Sequence, residues 1–200
     1  AMMTVVASPR DDDVDDRRHA WRAAVPLTTV SAAQPATATA AAAATTAVER
    51  DVCAAREYYT KTLRTRSGIE VRAHCDVSDE AMCAARRIVD EMLARVDENV
   101  VANLRRAGVE VHVIARHHAC SQLPEHRALR GTTQDGVDWD VRNRGTGGVF
   151  ASVGEENLLR TDDDRYTDHR SILTHEFAHT IHMYGVDDVA KRAIADVYER

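Results

Sequence analysis

Ile172-Leu173-Thr174-His175-Glu176-Phe177-Ala178-His179-Thr180-Ile181-His182 is the stretch whose reading decides the fold. On a helix of about 3.6 residues per turn, His175 and His179 lie about 40° apart, one above the other. Both imidazoles can then reach one ion. Glu176, next to the first histidine, projects to the side of that ion, where it can hold a water. The ion lowers the pKa of the water and polarises a carbonyl; the glutamate takes the proton and passes it to a leaving amine. This is the physical content of the H-E-x-x-H pattern. It makes Zn2+ the expected cofactor, His175 and His179 its ligands and Glu176 the general base.

The surroundings of the motif support a catalytic helix. Leu173, Phe177, Ile181 and Tyr184 are spaced by four, four and three residues and cluster opposite the two histidines. One face therefore packs while the other coordinates, and a surface helix with incidental histidines does not need that apolar back. Asp168 or Ser171 can cap the helix, with Gly185 as its stop. His182 falls on the histidine face, but three histidines on one straight helix would have to converge over a rise of about 10 Å. A cleft or orienting role suits His182 better than ligation, with plain surface exposure as the alternative. The metzincin pattern requires Gly at 182 and His at 185, the reverse of what stands here. A catalytic zinc takes three protein ligands. The chain offers Asp187, Asp188, Asp196 and Glu199 after His179, and a second helix over Val189–Tyr198. Glu199 stands at a spacing that glutamate-ligand zincins use, although chain ends fray; solvated surface charge is the simpler reading of the aspartates. Tyr166, Tyr184 and Tyr198 are candidate oxyanion donors or plain packing aromatics.

Composition narrows the partners. The 200 residues carry a formal charge of −6 in short mixed clusters, so nucleic acid is not an expected partner. No apolar run approaches the roughly 20 residues that span a bilayer, and the first residues are too short and too quickly acidic for a secretory signal. Cys53, Cys75, Cys83 and Cys120 permit two disulfides in three pairings, or reduced buried thiols, and show no zinc-type spacing.

Residues 1–48 differ from the rest. An aspartate block at 11–16 and the Ala/Thr run from Gln34 to Ala47 offer little apolar surface to offset ordering. They read as a disordered arm, with a pro-segment or an arm that orders on a protein partner as alternatives. The folded domain is expected over 49–200: a helix over 48–63, a strand over 69–77, and a long amphipathic helix capped by Ser78 and stopping near Gly108. A strand over 109–115 follows, then long loops over 116–150 with turns at Asp135-Gly136 and Gly145-Thr146-Gly147-Gly148, and a short edge strand within 149–159. The order is α+β. His112, on a strand, and His117 and His118, on a loop, show no matched acidic partner and read as packing or solvent-facing residues.

Further stretches, among them A-G-V-E-V-H-V-I-A (107–115), R-G-T-G-G (144–148) and S-V-G-E-E-N-L-L (152–159), join I-L-T-H-E-F-A-H-T-I-H (172–182) in order over most of 50–186. This combination resembles a group of largely uncharacterised, often secreted zinc metallopeptidases, related at superfamily level to the anthrax lethal factor catalytic domain. The resemblance implies a zincin fold of the glutamate-ligand type, a small twisted sheet packed on helices, a peptide or protein substrate and an extracellular setting. It implies zinc on His175 and His179, with Glu176 as base. It also implies a third ligand from a downstream E-Y-[FW]-A-E segment that lies beyond Arg200. The expectations are then an incomplete C-terminus, a ligand role for Glu199 or a water, or a scaffold without full activity. Glu155 and Glu156 belong to the shared S-V-G-E-E-N-L-L block. They are candidates for orienting a histidine, with capping or loop closure as the alternative.

Two functional classes follow. The first is a zinc endopeptidase working on a peptide laid along the cleft. The second is a non-catalytic zincin-like protein used for binding or in an assembly. Intact Glu176 favours the first; the missing downstream glutamate and the long arm favour the second.

Overall fold

The computed structural model describes residues 57–166, 168 and 170–199. The expected arm at 1–48, the start of the first expected helix and Cys53 lie outside the described residues. The protein is a mixed α+β fold in which helices cover a small sheet. In chain order its elements are β1 (Lys61–Arg64), β2 (Glu70–Ala73), α1 (Asp79–Leu93), α2 (Glu98–Arg106) and β3 (Glu110–Ile114). Two 3-10 turns over Cys120–Gln122 and Pro124–Leu129 follow, then β4 (Thr133–Gln134), β5 (Val137–Asp138), α3 (Trp139–Arg142), β6 (Gly145–Thr146) and β7 (Phe150–Gly154). The chain continues through α4 (Glu155–Leu159), α5 (Ile172–Thr180), a π turn over Ile181–Gly185 and α6 (Asp188–Tyr198).

Five strands form one sheet in the order β1-β2-β3-β7-β6. β2, β3 and β7 run parallel, and β1 and β6 are antiparallel strands at the two edges. Of the strand expected over 69–77 only Glu70–Ala73 is β2, the chain turning over His74–Val77, but the alternation at Ile69, Val71 and Ala73 and at Val109, Val111 and Val113 has a direct cause. Val71, Ala73, Val111, Val113, Ala151 and Val153 are fully buried on one face, against Ala81, Ala85 and Val89 of α1 and Leu173 and Phe177 of α5. Each large apolar side chain buried there contributes about 1.5–3 kcal/mol.

Four expectations are corrected. Residues 61–63 are strand β1, not the end of a helix, because Lys61–Arg64 pairs antiparallel with β2. The long helix is two helices: the Asp97 carboxylate accepts the Asn99 amide at 2.8 Å and caps a new start. Both halves keep apolar spacing, so periodicity does not register the break. The strand within 149–159 is β7, and it is internal, flanked by β3 and β6. The loops of 116–150 hold short structure, including the β4–β5 hairpin. Its Asp135-Gly136 turn has φ of 51° and 77°, the left-handed pair that a two-residue hairpin needs. Ser78 caps α1 as expected, accepting the Ala81 amide. Cys75, Cys83 and Cys120 are free thiols. No described helix is long and apolar enough to cross a membrane.

The other face of the sheet is also covered, by a smaller apolar cluster of Tyr59, Ile114, Cys120 and Leu123 and by buried polar groups. His112 is buried, its Nε2 3.0 Å from a Glu110 carboxylate oxygen and its Nδ1 2.5 Å from Glu125 Oε1. The Tyr59 hydroxyl donates to Glu125. Burial opposes charge on His112 and Glu125 alike, but the hydrogen bonds of His112 with Glu110 and Glu125 outweigh it. His112 is held above its usual 6.5 and Glu125 below its usual 4.5. The raised histidine contributes stability that is complete below 6.5 and lost as pH rises through its folded pKa. The depressed carboxylate contributes stability that is complete above 4.5 and lost as pH falls through its folded pKa. Urea unfolding of wild type and Glu125→Gln should therefore differ most, by about 2 kcal/mol, between pH 4.5 and 6.5. A difference independent of pH would dismiss the pair as an ionised one.

Candidate metal centre

α5 begins where the Ser171 hydroxyl accepts the Thr174 amide and the Asn157 side-chain oxygen accepts the Ile172 amide at 2.9 Å. Its far end is fastened to the loop after β6, because the Thr180 hydroxyl donates to the Gly148 carbonyl at 2.8 Å. Beyond it the helix widens into a π turn, closed when the Val186 amide donates to the Ile181 carbonyl. Such turns cluster at functional sites. Gly185 ends the helix as expected, and the close packing there leaves no room for a larger residue. A Cβ on it would stand 2.8 Å from Val100 Cγ1 on α2.

The Nε2 atoms of His175 and His179 face one another at 3.0 Å, their rings crossing at 77°. Two nitrogens on one tetrahedral zinc, each about 2.0–2.1 Å from it, stand about 3.3 Å apart. Burial lowers the pKa of both imidazoles. Arg170 adds to the effect at His175, and His175 and His182 add to it at His179. Ligating imidazoles must be neutral. Leu173 and Phe177 are fully buried, with Ile181 and Tyr184 packed partly behind them, so the apolar back of the helix is real.

Glu176 is fully buried and neither carboxylate oxygen has a hydrogen-bond partner of ordinary geometry. Burial pushes its pKa up to about 8, with the Gly147 amide the one dipole close enough to favour the charge. A Cβ on Gly147 would lie 3.0 Å from Glu176 Oε2 and 3.1 Å from His179 Cβ. The glycine is therefore what lets the loop after β6 close over the motif. A buried acceptor with nothing to accept from, on the same helix turn as two facing imidazole nitrogens, has the chemistry of a base near a divalent ion, although no Glu176 oxygen lies within 4.8 Å of both nitrogens.

The remaining candidates divide. His182 is half-buried in the π turn and close enough to depress His179. Tyr184 lines a shallow hollow with His126, Gly147, Gly148 and Phe150, a cleft position. Glu155 and Glu156 touch other groups: Glu155 accepts the Ser78 amide at 2.9 Å, and Glu156 forms a buried pair with Arg144. Closure of the structure, the alternative left open for them, is what they do. Tyr166 is buried and Tyr198 exposed. Glu199 is an exposed residue at the end of α6. Among the described residues, no third His, Cys, Asp or Glu places a ligand atom within 4.8 Å of both His175 and His179. α6 lies where a second helix was expected but buries none of its residues, leaving Val189, Ile194, Val197 and Tyr198 exposed.

Sequence reasoning missed Gly147 and Asn157, which position α5. Their signal was present in the R-G-T-G-G and S-V-G-E-E-N-L-L blocks, but one-dimensional spacing does not reveal what they touch. It also set aside His117 and His118 for want of an acidic partner. The fold supplies one, Asp76, at 3.4 and 3.2 Å from their Nε2 atoms. No protein-family model matches the chain, and neither a curated protein nor a solved structure matches it.

Proposed function

We propose that this chain is a zincin-like metallopeptidase domain of the glutamate-ligand type, hydrolysing peptide bonds in an extended substrate. The observation that carries the reading is the pair of Nε2 atoms 3.0 Å apart, on the helix turn that also carries the fully buried, unpartnered Glu176. His175 and His179 would hold Zn2+ through those nitrogens. The ion, when bound, supplies Lewis acidity that activates water and polarises a carbonyl. Glu176 takes the proton of the attacking water and returns it to the amine nitrogen that leaves. Its burial keeps bulk water from competing for that proton. β6 is an edge strand next to α5, and an extended peptide adds to such an edge through main-chain hydrogen bonds. The Gly147-Gly148 loop and Tyr184 flank the same place. A secreted setting rests on the resemblance of the motifs alone.

A second reading has its own support. The lack of a third ligand within 4.8 Å among the described residues, together with the exposed apolar side chains of α6, suits a zincin-like scaffold used for binding. One experiment separates the two. Tag-free protein stripped by a chelator and resupplied with Zn2+ is incubated with a degenerate peptide library, and products are read by mass spectrometry. The peptidase reading expects cleavage restored by zinc and absent in His175→Ala/His179→Ala. A protein that binds zinc at these histidines and leaves the library uncut is the scaffold.

A further inference from the structure

β2 and β3 are adjacent parallel strands, and each ends in a tight turn at its carboxyl end. The Val77 amide donates to the His74 carbonyl in the first turn, and the His118 amide donates to the Ala115 carbonyl in the second. Carboxyl ends of parallel strands are where α/β sheets place their ligands. Here the two turns bring together His74, Cys75 and Asp76 from one side and His117 and His118 from the other. The Asp76 Oδ2 atom is 3.1 Å from His74 Nδ1, 3.4 Å from His117 Nε2 and 3.2 Å from His118 Nε2.

We propose that Asp76, His117 and His118 form a second metal site, for a divalent transition-metal ion that favours imidazole and carboxylate ligands, with His74 and Cys75 beside it. Ligand atoms of these three residues all lie within 4.8 Å of one another, and Asp76 shares a second such group with His74 and Cys75. The separations of 3.2 and 3.4 Å from Asp76 exceed the 2.7–2.9 Å or so of a charged hydrogen bond. They match the roughly 3.3 Å between ligands on one tetrahedral zinc.

The surrounding groups prepare the nitrogens. The Tyr58 hydroxyl is 3.0 Å from His118 Nδ1; in the tautomer with the proton on Nδ1 the hydroxyl accepts it and the Nε2 lone pair is left for an ion. His74 Nδ1 accepts the Asp76 amide at 3.2 Å, which puts the proton of a neutral ring on Nε2, so His74 braces the turn beside the site. The Asp76 side chain is 40 % exposed and that of His117 70 %, which leaves an ion a path in. Imidazole and carboxylate donors suit zinc, nickel and copper ahead of magnesium or calcium.

The test uses the tag-free full chain, freed of metal and titrated with Zn2+ by calorimetry, with bound metal counted by mass spectrometry. In a His175→Ala/His179→Ala background the chain should still bind one zinc and gain thermal stability from it. Adding His117→Ala/His118→Ala should abolish that binding, and Asp76→Asn, a near-isosteric change at an accessible position, should weaken it at least tenfold. A background variant that binds no zinc overturns the proposal. So does unchanged affinity in Asp76→Asn and His117→Ala/His118→Ala, both with wild-type circular dichroism. The converse variant, His117→Ala/His118→Ala alone, reports on the His175–His179 pair, so the two sites stand or fall separately.

Discussion

On the proposed peptidase reading, Glu176→Gln is expected to lower peptide cleavage by about 100- to 10,000-fold, the usual contribution of a positioned base, while making the metal-free protein more stable. The two effects share one cause. A carboxylate fully buried without a hydrogen-bond partner is costly to ionise, and its pKa rises from 4.5 to about 8. Between those values the native state holds a proton that the unfolded state has released, so stability falls as pH rises through that window. At about 1.36 kcal/mol per pKa unit the full cost above the window is about 5 kcal/mol. Glutamine has nearly the same shape and cannot ionise. Urea unfolding in a chelator should show the two proteins equally stable below pH 4.5 and the variant increasingly ahead up to about pH 8. Parallel pH profiles would mean that Glu176 is not the strained acid described here, and retained cleavage would remove it from the chemistry.

Arg144→Met carries the second large effect, and on stability it acts in the opposite sense. Arg144 Nε and one terminal nitrogen donate to the two Glu156 oxygens at 2.5 and 2.6 Å, and the other terminal nitrogen donates to the His118 carbonyl at 2.6 Å. Both side chains are nearly inaccessible, at 4 % and 6 %. Removing the guanidinium leaves a buried carboxylate and a buried carbonyl without donors, a change that costs about 3–5 kcal/mol. Glu156→Leu alone strands the cation in the same way. Arg144→Met/Glu156→Leu removes both charges together and should recover most of the loss, as apolar replacements of buried pairs do. A double-mutant cycle by denaturant titration reads the coupling. Additive losses would show that the two groups act separately despite their geometry.

What the sequence disclosed and what it hid follow from the range of the forces involved. α5 was legible because its signals are local: histidines four apart, apolar residues three and four apart, and a serine that caps. The core strands were legible for the same reason, since alternation at 69–73 and 109–113 reflects one buried face. The break between α1 and α2 was hidden because it depends on one carboxylate, Asp97, turning back to an amide two residues on. The internal place of β7 was hidden because strand order is set by pairing between residues far apart in the chain. Asp76 meets His117 and His118 across about 40 positions of sequence, a distance at which no spacing rule applies. The roles of Glu155 and Glu156 were open between orienting a histidine and closing the structure, and only the contacts decide between them.

Three consecutive side chains of α4 reach three separate parts of the molecule. Glu155 holds the Ser78 amide at the start of α1, Glu156 holds Arg144 just before β6, and Asn157 holds the Ile172 amide at the start of α5. They act as struts from one hub. The start of α1, the residue that leads into β6 and the start of α5 therefore share one anchor, and a substitution in that turn loosens all three at once.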